Sequence, residues 1–266
     1  MCDLFVQAGV SASDINTAFI EDVYNHYDKH MAYHNHIHIY ETLQLGVYLL
    51  SRNEMALVGL SPLERSTFCI ALLCHDIDHC GYTNTELEKE PIHLESDYYS
   101  DDDSDSIVSS SSSYNEHHHI SIAQKLLKKH KVSYDKSLLN RLIIFTDLTL
   151  QRSFLEINSE YSTIREKKIE NHAILILLTK LADTGHILRP WRQHLNNVVR
   201  LNNERKQPLS SNTLPKDTIW FNTHYVYPLI VKIKEFNIGL YMKLNKLYQR
   251  NVSQWHTISE YTKLVS

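Results

Sequence analysis

Glycine and proline are scarce in this chain, six of each among 266 residues, against an average usage of roughly 7% and 5%. Hairpins and glycine-rich phosphate loops depend on those residues, so their scarcity weighs against a β-rich fold and favours helices. Cysteine is sparse too: Cys2, Cys69, Cys74 and Cys80 form no disulfide framework. Cys74 and Cys80 lack the second Cys or His pair that a zinc finger needs. The apolar run at residues 173–178 is far short of the ~20 residues that span a bilayer, and Met1-Cys2-Asp3-Leu4 lacks the basic-then-apolar pattern of a signal sequence. These features predict a soluble protein of a reducing, cytoplasmic compartment with no membrane partner. Excess basic charge is also missing. Glu95, Asp97, Asp101, Asp102, Asp103 and Asp105 account for six negatives, and setting them aside turns the net −4 into about +2. That excludes the broad basic face of a duplex nucleic-acid binder.

Helical periodicity is what the chain has instead. Ile15, Phe19, Val23 and Tyr27 recur every four residues, which predicts a helix over 13–30 with Ser13 or Asp14 as its cap. A second is expected over 33–50. Ser61-Pro62-Leu63-Glu64 reads as a capping box with proline in the first helical position, opening an apolar helix that runs into His75 and Asp76. Further helices are expected over 116–130, 136–150, 161–187, 190–206 and 216–236, the last kinked at Pro228, with a final one from about residue 238. Residues 95–113, acidic and ending in a serine run, carry too little apolar mass to offset ordering and are expected to form a mobile surface loop. The whole reads as an all-α, compact multi-helix chain. Residues 1–32 are expected to form an N-terminal helical segment and 33–266 one catalytic domain interrupted by the 95–113 insertion.

Chemistry-bearing residues cluster along the sequence: His34, His38, His75-Asp76-Ile77-Asp78-His79, Glu116-His117-His118-His119 and Asp183. Imidazoles and carboxylates are the ligands of hydrolytic metal sites, since neutral imidazole suits zinc and carboxylate oxygens can bridge two cations. Four residues apart, His34 and His38 are expected on one helical face. A His-Asp pair at the end of an apolar helix is costly unless partnered.

The pattern resembles the catalytic domain of the class I 3',5'-cyclic nucleotide phosphodiesterases, within the wider HD hydrolase group. Tyr33-His34-Asn35 resembles the family's opening motif, and His75-Asp76-Ile77-Asp78-His79-Cys80-Gly81-Tyr82-Thr83-Asn84 its HDxDHxGxxN signature. Glu116-His117-His118-His119, Thr146-Asp147, Leu181-Ala182-Asp183, Arg192-Gln193, Phe221 and Tyr227-Pro228-Leu229 extend the likeness over about residues 33–236, with an echo at Asn251 and Trp255. The resemblance implies an all-helical fold with a metal site in a central pocket. It implies that His38, His75, Asp76 and Asp183 hold zinc, and that Asp76 bridges to a second cation, magnesium or manganese. His79, Asn84, Glu116 and Thr146 would orient waters around the cations, and His34 would be the general acid. Tyr33, His186, Val198, Thr218 and Phe221 would face the nucleotide.

The sequence departs from the family at two positions. Thr218 stands where the base-recognising glutamine is expected, and His186 replaces an asparagine three residues after the metal aspartate. A hydroxyl offers fewer donors than an amide, so purine recognition of the usual kind is not implied, and the base preference stays open. The expected activity is metal-dependent hydrolysis of a small cyclic nucleotide to its 5'-monophosphate. Two other readings stay open: another HD-type nucleotide phosphohydrolase, and a metal-retaining nucleotide sensor or scaffold whose acidic serine loop serves as a partner or phosphorylation site.

Overall fold

The computed structural model describes residues 1–53, 57, 59–89, 113–160 and 167–265, and every regular element among them is helical. In order these are α1 (Cys2–Gln7), α2 (Thr17–Asn25), α3 (His36–Arg52), α4 (Pro62–Cys74), α5 (Asn84–Lys89), α6 (Tyr114–Lys129) and α7 (Lys136–Ile144). They continue with α8 (Gln151–Glu160), α9 (Lys167–Thr184), α10 (Trp191–Glu204), α11 (Leu214–Phe221), α12 (Tyr227–Ile233) and α13 (Ile238–Val265). The expected loop at 95–113 lies outside the described residues except for Ser113. That residue is buried, and its hydroxyl donates to Asp147 Oδ2 at 2.5 Å.

Helix α4 forms the axis of the fold. Ser61 Oγ accepts from the Glu64 amide at 3.2 Å while Glu64 Oε2 accepts from the Ser61 amide at 2.8 Å, so the capping box read from the sequence is complete. From Phe68 to Cys74 every side chain is buried, because α3, α6, α7 and α9 all pack against this one helix. Each fully buried Leu or Phe contributes roughly 1.5–3 kcal/mol relative to exposure. Gly46 lets α3 come close: a Cβ there would meet Leu72 Cδ1 at 2.3 Å. Helices α1 and α2 add Leu4, Phe5, Phe19 and Val23 to the same core.

Several boundaries differ from the sequence expectation, each for a local reason. Asn16, rather than Ser13 or Asp14, caps α2, its Oδ1 accepting from the Phe19 amide at 3.0 Å. Asn35 caps α3 by accepting from the Ile37 amide, so the helix starts at His36. His34 therefore lies in the preceding turn and does not share a helical face with His38. Helix α4 stops at Cys74, and His75 and Asp76 occupy the turn after it. Asp78 (φ 61°) and Gly81 (φ 81°) then take the chain through left-handed conformations. The expected 136–150 helix ends at Ile144, and a short 3₁₀ turn follows at Leu148–Leu150. Pro228 lies in the first turn of α12, after a π-helical turn at Asn222–Val226 that breaks the ladder ahead of it.

Candidate active site

Three helix ends converge on one point. His38 sits in the first turn of α3, Asp183 in the last turn of α9, and His75 and Asp76 just past the end of α4. Mutual packing of α3, α4 and α9 brings these ends together. His38 Nε2 is 3.2 Å from Asp76 Oδ2 and 3.2 Å from Asp183 Oδ1. His75 Nε2 is 3.1 Å from Asp76 Oδ2 and 3.3 Å from Asp183 Oδ1. The two Nε2 atoms are 3.2 Å apart.

The donor set fits a divalent cation. His75 Nδ1 lies 3.0 Å from the Leu72 carbonyl oxygen, which can only accept, so the neutral ring carries its proton there and turns an Nε2 lone pair on the cluster. Asp76 Oδ2 is buried with no hydrogen-bond partner. Two nitrogens and two carboxylate oxygens, all within 4.8 Å of one another, thus point lone pairs at a common centre, an arrangement a cation satisfies. Burial opposes charge on all four groups. The attraction between the imidazoles and the carboxylates prevails, raising His38 and His75 and lowering Asp76 and Asp183.

Beside this cluster stands a second group, His34, His79 and Glu204. Glu204 Oε2 accepts the backbone N–H of Tyr33 at 2.6 Å and of His34 at 3.0 Å, and its Oε1 holds His34 Nδ1. Burial alone would raise the Glu204 carboxyl, but the hydrogen bond and charge of His34 hold it below its ordinary value. The His34 and His79 rings stack with centroids 3.9 Å apart. His79 Nδ1 accepts from the Gly81 amide at 3.0 Å, so the neutral ring keeps its proton on Nε2 and has no lone pair there for a metal. Burial, then the charge of His34, hold His79 well below its ordinary value. This triad is therefore a hydrogen-bonded His-Glu pair stacked on a neutral ring.

The first turn of α6 supplies the far wall. Asn84 Oδ1 accepts from the Asn115 amide while its Nδ2 donates to Glu116 Oε2 at 2.8 Å, tying the start of α5 to the start of α6. Burial, then Asp147 and Asp76, push Glu116 up to about 8. His119, one turn on, donates Nδ1–H to the Ile77 carbonyl at 2.6 Å. Its partnerless Nε2 stands 4.0 Å from Asp76 Oδ1. Thr146 is buried, its hydroxyl donating to the Ile143 carbonyl. Lys180 is buried as well and donates to the Phe145 carbonyl at 2.5 Å and the Asp147 carbonyl at 3.2 Å. Burial pushes it down to about 8.

The residues expected to face the nucleotide are less uniformly placed. Tyr33 lies against His38, ring centroids 4.5 Å apart, and with His186 it lines a cavity of about 10 Å³ beside Asp183. Val198 is buried on α10. Thr218 is buried and its hydroxyl donates to the Leu214 carbonyl, so it offers lone pairs only. Phe221 stacks on Tyr225 at 5.3 Å. Among the described residues, no hydrogen bond or ring contact joins Val198, Thr218 or Phe221 to the metal-type cluster. A wider groove of about 440 Å³ lies between α11 and α13, lined by Trp220, His224 and His256, and none of the expected site residues lines it.

Glu204 was not singled out from the sequence, and Leu201-Asn202-Asn203-Glu204-Arg205-Lys206 reads as an ordinary solvated helix end. His119 had a signal: its spacing of three from Glu116 puts both on one face of α6. Among the described residues, neither Cys74 nor Cys80 joins a cluster that could hold a metal; no cysteine forms a disulfide, and burial pushes the Cys74 thiol up.

An all-helical scaffold whose helix ends gather two histidines and two aspartates beside a His-Glu dyad has the form of a hydrolase domain. The chain belongs to the 3'5'-cyclic nucleotide phosphodiesterase family, whose model matches residues 33–247. It is 26% identical over 193 residues to the 3',5'-cyclic-nucleotide phosphodiesterase regA of Dictyostelium discoideum, a match covering 70% of this chain and 24% of that protein. A shorter stretch of 66 residues, 25% of this chain and 4% of the relative, is 33% identical to a high affinity cGMP-specific 3',5'-cyclic phosphodiesterase 9A of Drosophila melanogaster. In fold it matches the phosphodiesterase domain of a rhodopsin phosphodiesterase from Salpingoeca rosetta, with a TM-score of 0.79 and 20% identity, covering 98% of this chain and 85% of that one. The chain thus spans a quarter or less of the curated relatives it matches. Among the described residues, no helix is long and apolar enough to cross a membrane.

Proposed function

We propose that this chain hydrolyses the cyclic phosphodiester of a 3',5'-cyclic nucleotide to the 5'-monophosphate, using two divalent cations. The observation that carries the reading is the convergence of His38 Nε2, His75 Nε2, Asp76 Oδ2 and Asp183 Oδ1, with Asp76 Oδ2 buried and unpartnered. These four would hold the first cation, zinc by their donor chemistry. Asp76 would also serve a second, magnesium or manganese, its Oδ1 standing 4.0 Å from His119 Nε2. Bound cations of this kind supply Lewis acidity toward phosphoryl oxygens and a nucleophile derived from water.

The chain's own residues do the rest. His34, fixed through Nδ1 by Glu204, carries a proton on Nε2 and hands it to the oxygen that leaves phosphorus, a transfer suited to imidazole. Stacked behind it, His79 stays neutral and does not compete for that proton. Asn84, Glu116, His119 and Thr146 would orient the waters around the cations. Tyr33 closes the cluster from the α3 side.

The test is a hydrolysis panel of cyclic AMP, cyclic GMP, pyrimidine cyclic nucleotides and a cyclic dinucleotide with defined zinc, magnesium and manganese. A 5'-monophosphate product and loss of turnover on chelation are expected. Release of a 3'-monophosphate, or of inorganic triphosphate from a deoxynucleotide, would replace this reading with another phosphohydrolase. Tight nucleotide binding without turnover would make the chain a sensor.

A further inference from the structure

His186 ends a buried chain of three rings that the proposed reaction does not use. The Trp255 indole N–H, which can only donate, lies 2.6 Å from His194 Nε2. His194 Nδ1 lies 2.8 Å from His186 Nδ1. Trp255 is 2% exposed and His194 fully buried, with Trp191 set edgewise against both rings. Asn251, one turn before Trp255 on α13, donates to the carbonyls of Ile187 and Arg189 at 2.5 and 2.7 Å. The short turn bearing His186 is thereby pinned to the same helix.

The hydrogen-bond polarity of this chain runs one way. Because indole donates, His194 Nε2 must accept. Burial keeps His194 and His186 neutral, well below the ordinary value, so the single proton of His194 lies on Nδ1 and is donated to His186 Nδ1. The proton of His186 is then forced onto Nε2. That atom has no hydrogen-bond partner among the described residues, and its ring lines the small cavity shared with Tyr33, His38 and Asp183. An imidazole normally chooses between two tautomers; this one has no choice.

We propose that Trp255 and His194 are positioning residues that lock His186 as a hydrogen-bond donor to an acceptor atom of the bound nucleotide. This rests on the cyclic nucleotide reading above. The acceptor is a lone pair on purine N7 or on the ribose 2'-oxygen. With the Thr218 hydroxyl spent on the Leu214 carbonyl, the donor at His186 takes over part of the recognition that an amide performs elsewhere in the family.

Two measurements test it. In full-length protein labelled with ¹⁵N-histidine, long-range ¹⁵N–¹H spectra at neutral pH should show His194 as the Nδ1–H tautomer and His186 as the Nε2–H tautomer. The opposite tautomer at either residue overturns the relay. In steady-state kinetics on cyclic AMP, His186→Phe should raise KM about 3- to 10-fold, the worth of one net hydrogen bond, with kcat within about twofold. His186→Asn, which keeps a donor, should recover most of it. His194→Gln, whose amide can accept from Trp255 and donate to His186, should stay near the unmodified KM, whereas His194→Leu should resemble His186→Phe. The His186→Phe loss should vanish on 7-deaza cyclic AMP if the acceptor is on the base, or on 2'-deoxy cyclic AMP if it is on the ribose. An equal loss on all three substrates, or equal effects of Gln and Leu at position 194, overturns the proposal. The tautomers are read without substrate, so a chain that hydrolyses no cyclic nucleotide removes the proposed activity while the relay is still judged by the spectrum.

Discussion

Glu204 holds His34 across 170 residues of sequence, accepting its ring Nδ1–H with one carboxylate oxygen and its backbone N–H with the other. The grip fixes both the direction of the ring and its tautomer, leaving Nε2 free for the proton transfer proposed above. Glu204→Gln should therefore keep metal content and fold while lowering kcat about 10- to 100-fold, part of what a positioned general acid contributes. A phosphodiester substrate with a nitrophenolate leaving group, which needs no protonation, should recover most of the loss. Absence of that recovery would assign Glu204 a purely structural role.

Asp22, near the C-terminal end of α2, joins that helix to α6 by accepting from Lys129 Nζ and His130 Nε2, each at 2.7 Å. The hydrogen bonds to Lys129 and His130 lower its carboxyl from the ordinary 3.8 to about 2. A depressed folded-state pKa means that protons bind the unfolded chain more readily, so this contribution to stability is whole above about pH 4 and is lost as pH falls toward 2. Asp22→Asn should flatten the stability profile in that window, read by urea unfolding at successive pH values. An unchanged acid limb would show that the pair does not hold the helices together.

Gly46 allows α3 and α4 to touch. Gly46→Ala would drive a Cβ to 2.3 Å from Leu72 Cδ1, and overpacking of this kind costs about 1–3 kcal/mol. Adding Leu72→Ala should relieve the clash, so the double variant should be less destabilised than the sum of the single changes. Strict additivity in urea unfolding would contradict the contact.

Much of this was legible beforehand where the determinant is local. The Ser61–Glu64 box, the burial of α4 and the four cluster residues are written in short motifs; the structure completes the box, buries the helix and brings the four side chains together, although α4 stops short of His75 and Asp76. The misjudged features depend on geometry between distant segments. Spacing put His34 and His38 on one helix, but Asn35 caps α3 between them. Glu204 and His194 acquire their contacts only when α10 and α13 close over the turn after α9, and nothing local in their sequence says so; Trp255 shows in the sequence only as an echo of the family. Residues 95–112, where composition argued for a loop, lie outside the described residues.

Thr218 is buried with its hydroxyl donated to the Leu214 carbonyl, so discrimination between adenine and guanine should stay within about 200-fold, the range apolar contacts supply. Thr218→Gln should lower KM for one purine cyclic nucleotide with kcat little changed, provided melting shows that the longer side chain is accommodated. A preference above about 1,000-fold in the unmodified protein would place base recognition on another group.

His38, His75, Asp76 and Asp183 are proposed to form one metal site. Its most direct test is elemental analysis of protein dialysed against metal-free buffer, compared among the unmodified chain, His38→Ala and Asp183→Asn, with turnover measured on the same samples. Close to one tightly held zinc per unmodified chain is expected, with loss of metal and turnover together in both variants. Full turnover in a metal-free variant, or undiminished zinc in Asp183→Asn, would contradict it.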